Sequence, residues 1–381
     1  MSGWKTVSLA DICEIERGGS PRPISDFVTN DEDGVNWIKI TDATASGKCI
    51  YATEEKIIPD GVKRSRMVYP GDFILSNSMS FGRPYIMQTS GCIHDGWLVL
   101  RKPNADTDFL YYILSSEVVS NQFESLAAGS TVRNLNVQIA KEVKIPLPPL
   151  AEQRKIAEIL RTWDEAIETA EAEIKAKQER KRVLMKGLFS QKDGRQACDS
   201  RPITEIADLS KERPQGAEIV CVDFEHISPE TCQLIGSHPV RGDEVSKYRF
   251  KNGDVLFAKL RPYLKKAWLS DREGICSSEF WVFRAKTDKG DPGFIRQFVL
   301  SEPFLEACAA SSGSKMPRAD WSHVEKVKFY LPPLSEQSAI AVILQAADAE
   351  IETNNKLIML LRDQKRGLMQ KLLTGDVRVA A

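Results

Sequence analysis

Leu147-Pro148-Pro149-Leu150-Ala151-Glu152-Gln153 returns as Leu331-Pro332-Pro333-Leu334-Ser335-Glu336-Gln337, position 331 against 147, an offset of 184 in a chain of 381 residues. The match runs on through Ile156/Ile340, Ile159/Ile343, Leu160/Leu344, Asp164/Asp348, Ile167/Ile351 and Glu168/Glu352. It ends at Lys181-Arg182-Val183-Leu184-Met185 against Lys365-Arg366-Gly367-Leu368-Met369. A repeat of this length sets architecture before any local reading does. It divides the chain into a globular unit at 1–149, a long helix at 150–192, a second globular unit at 193–333, a second long helix at 334–375 and a tail at 376–381.

The paired prolines stop any helix from running backwards through them, and no proline interrupts 151–190 or 335–374. Apolar residues then fall at steps of three and four. In the first copy they are Ile156, Leu160, Trp163, Ile167, Ile174, Leu184 and Leu188. In the second they are Ile340, Leu344, Ile351, Ile358, Leu361, Leu368 and Leu372. That narrow stripe is a coiled-coil seam and suits one partner helix. The first helix begins acidic (Glu158 to Glu173) and ends basic (Lys175 to Lys186), which favours its own dipole and an antiparallel pairing with the second. Lys177, Lys181, Asn354 and Lys365 interrupt the stripe. Asn354 and Asn355 replace Ala170 and Glu171, and this change is expected to loosen the seam locally.

The globular units echo each other more faintly. Gly71-Asp72-Phe73-Ile74-Leu75 matches Gly253-Asp254-Val255-Leu256-Phe257, a turn feeding a buried strand. Trp97–Arg101 and Phe280–Arg284 read as strands. Phe109–Glu117 and Phe294–Glu302 read as amphipathic helices. Strands mixed among helices predict an α+β class for each unit, with a pseudo-two-fold internal repeat overall.

Hydrophobic content of 42% and charged content of 28% predict a folded chain, and no apolar run is long enough to span a bilayer. Met1–Lys5 lacks the pattern of a secretory leader. Eight scattered cysteines without a Cys-x-x-Cys pair read as reduced thiols, so a cytoplasmic location is expected. With four histidines and no cysteine at ligand spacing, no metal is expected. No P-loop, dinucleotide fingerprint, methyltransferase tetrapeptide or nucleophile elbow occurs, so no catalytic residue is expected. His94-Asp95 and Glu225-His226 are neighbours whose side chains diverge.

The loops that differ between the copies carry residues suited to phosphates and base edges. In the first unit these are Arg17, Ser20, Arg22, Lys39, Thr41, Lys63, Arg64, Arg66, Ser76, Asn77, Ser78, Arg83, Ser130, Thr131, Arg133 and Asn134. In the second they are Lys211, Arg213, Lys259, Arg261, Tyr263, Ser314, Lys315 and Arg318. A net charge of −1 does not advertise nucleic-acid binding, but only the reading face must be basic.

In its paired Leu-Pro-Pro-Leu-x-Glu-Gln helix starts, the helices they open, and the Gly-Asp strands at Gly71 and Gly253, the chain resembles the specificity subunit of Type I restriction–modification enzymes. The resemblance spans nearly the whole sequence. It implies two target recognition domains, each reading one half of a split double-stranded DNA site. It implies an antiparallel coiled coil that sets the spacing and docks two modification (methyltransferase) subunits, with restriction subunits as further partners. S-adenosylmethionine, ATP and Mg2+ would sit on those partners and none on this chain. The competing readings are a coiled-coil scaffold whose domains bind proteins and a self-contained restriction or modification enzyme.

Overall fold

The computed structural model describes residues 3–77, 81–127, 135–189, 200–214, 218–229, 231–241, 247–310 and 317–380. The chain forms two compact units. One comprises 1–169 with 359–381, and the other 170–358. The boundary falls inside both long helices, so each unit holds one globular region and one piece of each helix.

In the first unit the core strand Phe73–Ser76 is buried at every position, because both of its faces are covered. It lies in a five-stranded sheet with Glu14–Arg17, Trp97–Arg101, Pro84–Met87 and Cys49–Ile50. Side chains alternate across a strand. Phe73, Leu75, Leu98 and Leu100 therefore pack on the helical side, against Phe109, Tyr112, Ile113 and Ile156. Ile74, Tyr85, Trp97 and Val99 pack the other way, against Ile38, Val68 and Ile93 of a second five-stranded sheet. A short antiparallel pair, Lys5–Ser8 with Lys144–Leu147, brings the two ends of the domain together at the start of the first long helix.

The second unit repeats this build with fewer strands, in two four-stranded sheets. Val255 and Phe257 face Phe294, Phe298, Ile340 and Leu344, while Leu256 and Ala258 face Val222, Phe250 and Cys276. Both turns take the form expected from Gly-Asp. Gly71 and Gly253 have φ of +92° and +85°. The Asp72 and Asp254 carboxylates accept the amides of Tyr69 and Lys251. The expected amphipathic helices form at Thr107–Leu114 and Pro292–Val299, ending before Glu117 and Glu302, where a second helix begins in each unit, Glu117–Ala127 and Glu302–Ala310.

The long helices run Leu150–Phe189 and Leu334–Thr374. The first was expected to reach 192, but 190–192 lie outside the described residues. Gly375, at φ +78°, follows the end of the second. Within the first unit, Ile156 and Leu160 share a core with Leu372 and Leu373, and Asp164 pairs with Lys365. Within the second unit, Lys181 pairs with Asp348, Lys177 with Asn354, and Ala170 and Ile174 meet Ile358. In both units the numbering rises on one helix as it falls on the other, so each local pairing is antiparallel.

Of the expected seam residues, Ile156, Leu160, Ile167, Ile174, Ile340, Leu344, Ile358 and Leu372 are buried. Trp163, Leu188, Ile351, Leu361 and Leu368 are half-buried. Leu184 is a correction: it is 36% exposed, because the inward turn there is taken by Lys181, Met185 and Leu188. Asn354, expected to loosen the seam, is buried and bridges the helices: it accepts from Lys177 Nζ at 3.2 Å and donates to Glu173 Oε2 at 2.9 Å.

Candidate nucleic-acid interface

The repeated motif positions the domains. The Gln153 amide oxygen accepts the backbone N–H of Asp106 at 2.8 Å, and its nitrogen donates to the Pro148 carbonyl. Gln337 does the same with Asp291, at 3.0 Å, and Pro332. Asp106 and Asp291 are themselves the N-caps of the first domain helix in each unit, accepting from Phe109 and Phe294. Farther along, Asp164 accepts from the Tyr112 hydroxyl at 2.6 Å and from Lys365. Its repeat mate Asp348 is met by Lys181, Arg296 and Gln297. Burial would raise the Asp348 carboxyl, but Lys181 and Arg296 overcome it and hold the group below its usual range.

On the first domain three loops converge on Asp95. Ser20 Oγ donates to its carboxylate at 2.7 Å and Arg22 at 3.0 Å, while Arg17 Nε and Asn77 Nδ2 both donate to its backbone oxygen. The Ser20 hydroxyl, with Arg22 adding to it, holds the Asp95 carboxyl below the ordinary range. Arg66 Nε reaches the Arg17 carbonyl at 3.3 Å. The loop seats this closely only because Gly18 and Gly19 lack side chains. A Cβ at Gly18 would lie 2.0 Å from the His94 carbonyl oxygen, and one at Gly19 3.0 Å from that of Arg64. Burial pushes the His94 imidazole down, and its Nδ1 accepts the Gly96 amide. Arg17, Arg22 and Arg66 are exposed around this hub.

Other expected readers in the first unit are placed individually. Lys63 is exposed and paired with Asp60, and Arg64 stacks over Phe27 at 5.3 Å. Arg83 is exposed and lies over Tyr85. Lys39 pairs with Glu55 at 2.8 Å, which raises its pKa, at the head of the helix that bears the exposed Thr41. Ser76 and Asn77 are corrections. Ser76 has no exposed surface in its covered strand, and the 4%-exposed Asn77 spends its amide on Asp95. Ser78, Ser130, Thr131, Arg133, Asn134, Ser314 and Lys315 lie outside the described residues.

The second domain uses the same backbone frame with different side chains. Asn77 N–H donates to the Gly96 carbonyl, and the Asn77 carbonyl accepts from Leu135. Lys259 stands in that place, donating to Glu279 and accepting from Ala319. Arg318 forms a two-pronged bond to Glu279 at 2.8 and 3.0 Å. Lys211 and Lys259 edge a cavity of about 220 Å³ lined also by Tyr248, Trp281 and Trp321. Arg213 lies over Tyr248 at 5.0 Å. Tyr263 is 61% exposed beside Arg261, whose backbone is left-handed at φ +49°.

Reasoning from the sequence missed Asp95 and Glu279, the acids that hold the arginines. Their only signal was position, directly before the strands at Trp97 and Phe280.

The family model for the Type I restriction modification DNA specificity domain matches residues 1–179 and 239–362. The chain belongs to that family. Among its relatives is the Type I restriction enzyme MjaVIII specificity subunit of Methanocaldococcus jannaschii, 25% identical, with 99% of this chain and 93% of the relative covered. Another is the EcoDI specificity subunit of Escherichia coli, 22% identical over 98% and 88%. The fold of this specificity-domain protein is also that of solved chains. The S subunit of a Type I restriction–modification system from M. genitalium superposes with a TM-score of 0.57 at 13% identity, over 98% and 96% of the two chains. A chain from a study of complex assembly and conformational transition in a type I system reaches 0.64 at 15% identity, over 99% of both. Among the described residues, no helix of this family member is long and apolar enough to cross a membrane.

Proposed function

We propose that this chain is the DNA-reading subunit of a Type I restriction–modification enzyme, acting in the cytoplasm without catalysis of its own. Each recognition domain reads one half of a bipartite, asymmetric site. The long helices pair as an antiparallel spacer that fixes the half-site separation and docks two methyltransferase subunits. Those partners, and restriction subunits where present, carry the S-adenosylmethionine, ATP and Mg2+ chemistry.

The observation that carries this reading is the pair of equivalent backbone frames at Asn77 and Lys259, surrounded by unlike exposed side chains: Arg17, Arg22 and Arg66 in the first unit, Lys211, Arg213 and Arg318 in the second. One build with two chemistries suits two half-sites of different sequence. The exposed arginines around Asp95 and the Lys211–Lys259 edge offer cations for phosphates and guanine edges. The remaining expected contacts are read the same way: exposed Arg22, Lys63, Arg64, Arg66, Arg83, Arg213, Arg261, Tyr263 and Arg318, with Ser76 and Asn77 removed from the set. An extruded target adenine would be handled by the partner, so this chain's task is to hold register on distorted DNA.

The test is to map methylated adenines in a host carrying the chain and its modification partner. A split motif with unlike halves is expected. Exchanging residues 1–149 for another family member's domain should change one half only. Alteration of both halves, or no change in methylation when the chain is deleted, would overturn the proposal. A protein-binding scaffold would give the latter result.

A further inference from the structure

In the second unit, strand Glu218–Val222 pairs antiparallel with His238–Arg241, and Cys221 stands directly opposite His238. Cross-strand partners share a face with Cβ atoms about 5 Å apart, and residue i+2 shares that face too. Sheet geometry therefore brings Cys221, Asp223 and His238 to one place, although 17 positions separate 221 from 238 in sequence. The donor atoms lie within 4.8 Å of one another. Cys221 Sγ is 3.8 Å from Asp223 Oδ1, and His238 Nε2 is 3.5 Å from Asp223 Oδ2. Ligands held at zinc's ordinary bond lengths in a tetrahedron stand about 3.3–3.6 Å apart. The two separations to Asp223 lie near that range, one to each oxygen of its carboxylate, and the three donor atoms span at most 4.8 Å.

We infer that Cys221, Asp223 and His238 form a binding site for a zinc-like divalent ion in the second recognition domain. The donor set of one thiolate, one imidazole and one carboxylate is what a borderline-soft ion takes, and it excludes Mg2+ and Ca2+, which take oxygen alone. The surroundings supply the outer contacts. Lys247 Nζ lies 2.9 Å from Cys221 Sγ and 3.9 Å from Asp223 Oδ1. A metal-bound thiolate keeps lone pairs that accept such a donor, so Lys247 supports the sulfur without being a ligand. Burial raises the Cys221 thiol, and the Lys247 ammonium opposes this. His226 is not a ligand. Its Nδ1 already accepts the Asp223 amide at 2.9 Å, so its Nε2 carries the proton.

A sequence motif does not announce such a site, because its ligands come from two strands and not from one spaced run. Among the described residues no second such group occurs. The parallel pairings Cys221–Ile275 and Cys92–Trp37 align Cys221 with Trp37 and Asp223 with Lys39, neither a ligand for such an ion. Bound there, the ion would staple two neighbouring strands of the outer sheet. The inference stands apart from the proposed DNA-reading role.

The full chain, stripped with chelator, would be titrated with Co2+ as an optical probe and with Zn2+ followed by metal analysis after gel filtration. One equivalent per chain and a thiolate-to-cobalt charge-transfer band are expected. Cys221→Ser should abolish the band, and Cys276→Ser, at a buried cysteine on the neighbouring strand, should leave it. His238→Ala, at a half-exposed position that tolerates truncation, should weaken binding about ten-fold or more. No retained zinc and no band in the parent chain would overturn the inference. So would a band that survives Cys221→Ser, or affinity unchanged in His238→Ala.

Discussion

Two side chains show what a buried polar residue does when it is fully engaged. Gln153 uses its oxygen and its nitrogen on two backbone groups, and it is 3% exposed. Replacing it by alanine strands the Asp106 N–H and the Pro148 carbonyl away from water. A loss of about 2–3 kcal/mol is expected in denaturant unfolding of the first unit. Gln337→Ala should do the same to the second. Asp348 gives a pH signature. Its folded pKa is depressed, so its contribution is complete above the ordinary aspartate value near 3.9 and disappears as pH falls through the lower folded value. Asp348→Asn should lose about 3 kcal/mol at pH 7 and flatten that acid limb, as followed by circular dichroism. The motif Gln was visible in the sequence as a repeat, but its bonds were not, because both partners depend on how the chain returns. Asp95 was quoted only as a neighbour of His94, since nothing local announces that Ser20 and Arg22 will fold onto it.

At the level of elements, the two helices were legible from their prolines and their three-four spacing. The errors came where the seam turns polar. Leu184 fits the spacing but faces solvent, and the inward place is held by Lys181 on Asp348. Asn354 sits in the seam with Lys177 and Glu173, both of which could turn to water without it. Asn354→Leu is therefore expected to raise the thermal stability of the second unit, by about 1 kcal/mol, while removing a bond that opposes sliding of one helix along the other. A lower melting temperature for this variant would show that the polar cluster stabilises more than it costs. The core strands were equally legible, since Phe73–Ser76 and Val255–Ala258 are buried throughout. Burial on both faces also takes Ser76 out of the reading set, because a second sheet covers the side that would otherwise face solvent, while Asn77, just past the strand, is turned onto Asp95. That sheet is built from short pieces such as Gly91–Ile93 and Glu55–Ile57, with too little alternation to declare themselves.

On the scale of the molecule, the two compact units divide within the long helices and not at the ends of the expected domains, and residues near 378 belong to the first unit. Arg378 grips the buried Glu152 at 2.6 and 2.8 Å, beneath Trp4, whose indole donates to the same carboxylate. The stretch read from sequence as a tail is thus part of the first unit's structure. Deleting 376–381 should lower the unfolding temperature of the first unit and leave the second unchanged, as read by hydrogen exchange. An equal fall in both would refute this.

The paired aspartates on the long helices set terms for exchanging parts. Asp164 meets Tyr112, and Asp348 meets Gln297, each six positions beyond the capping aspartate of its domain. A transplanted domain would need a capped helix start to present its N–H to the waiting glutamine, a donor six residues on to satisfy the aspartate, and an apolar face for the helix residues that enter its core, Ile156 and Leu160 or Ile340 and Leu344. The loops around Asp95 and Glu279 lie outside that joint and can drift without disturbing the seat. Such a socket lets new loops be fitted to an old frame.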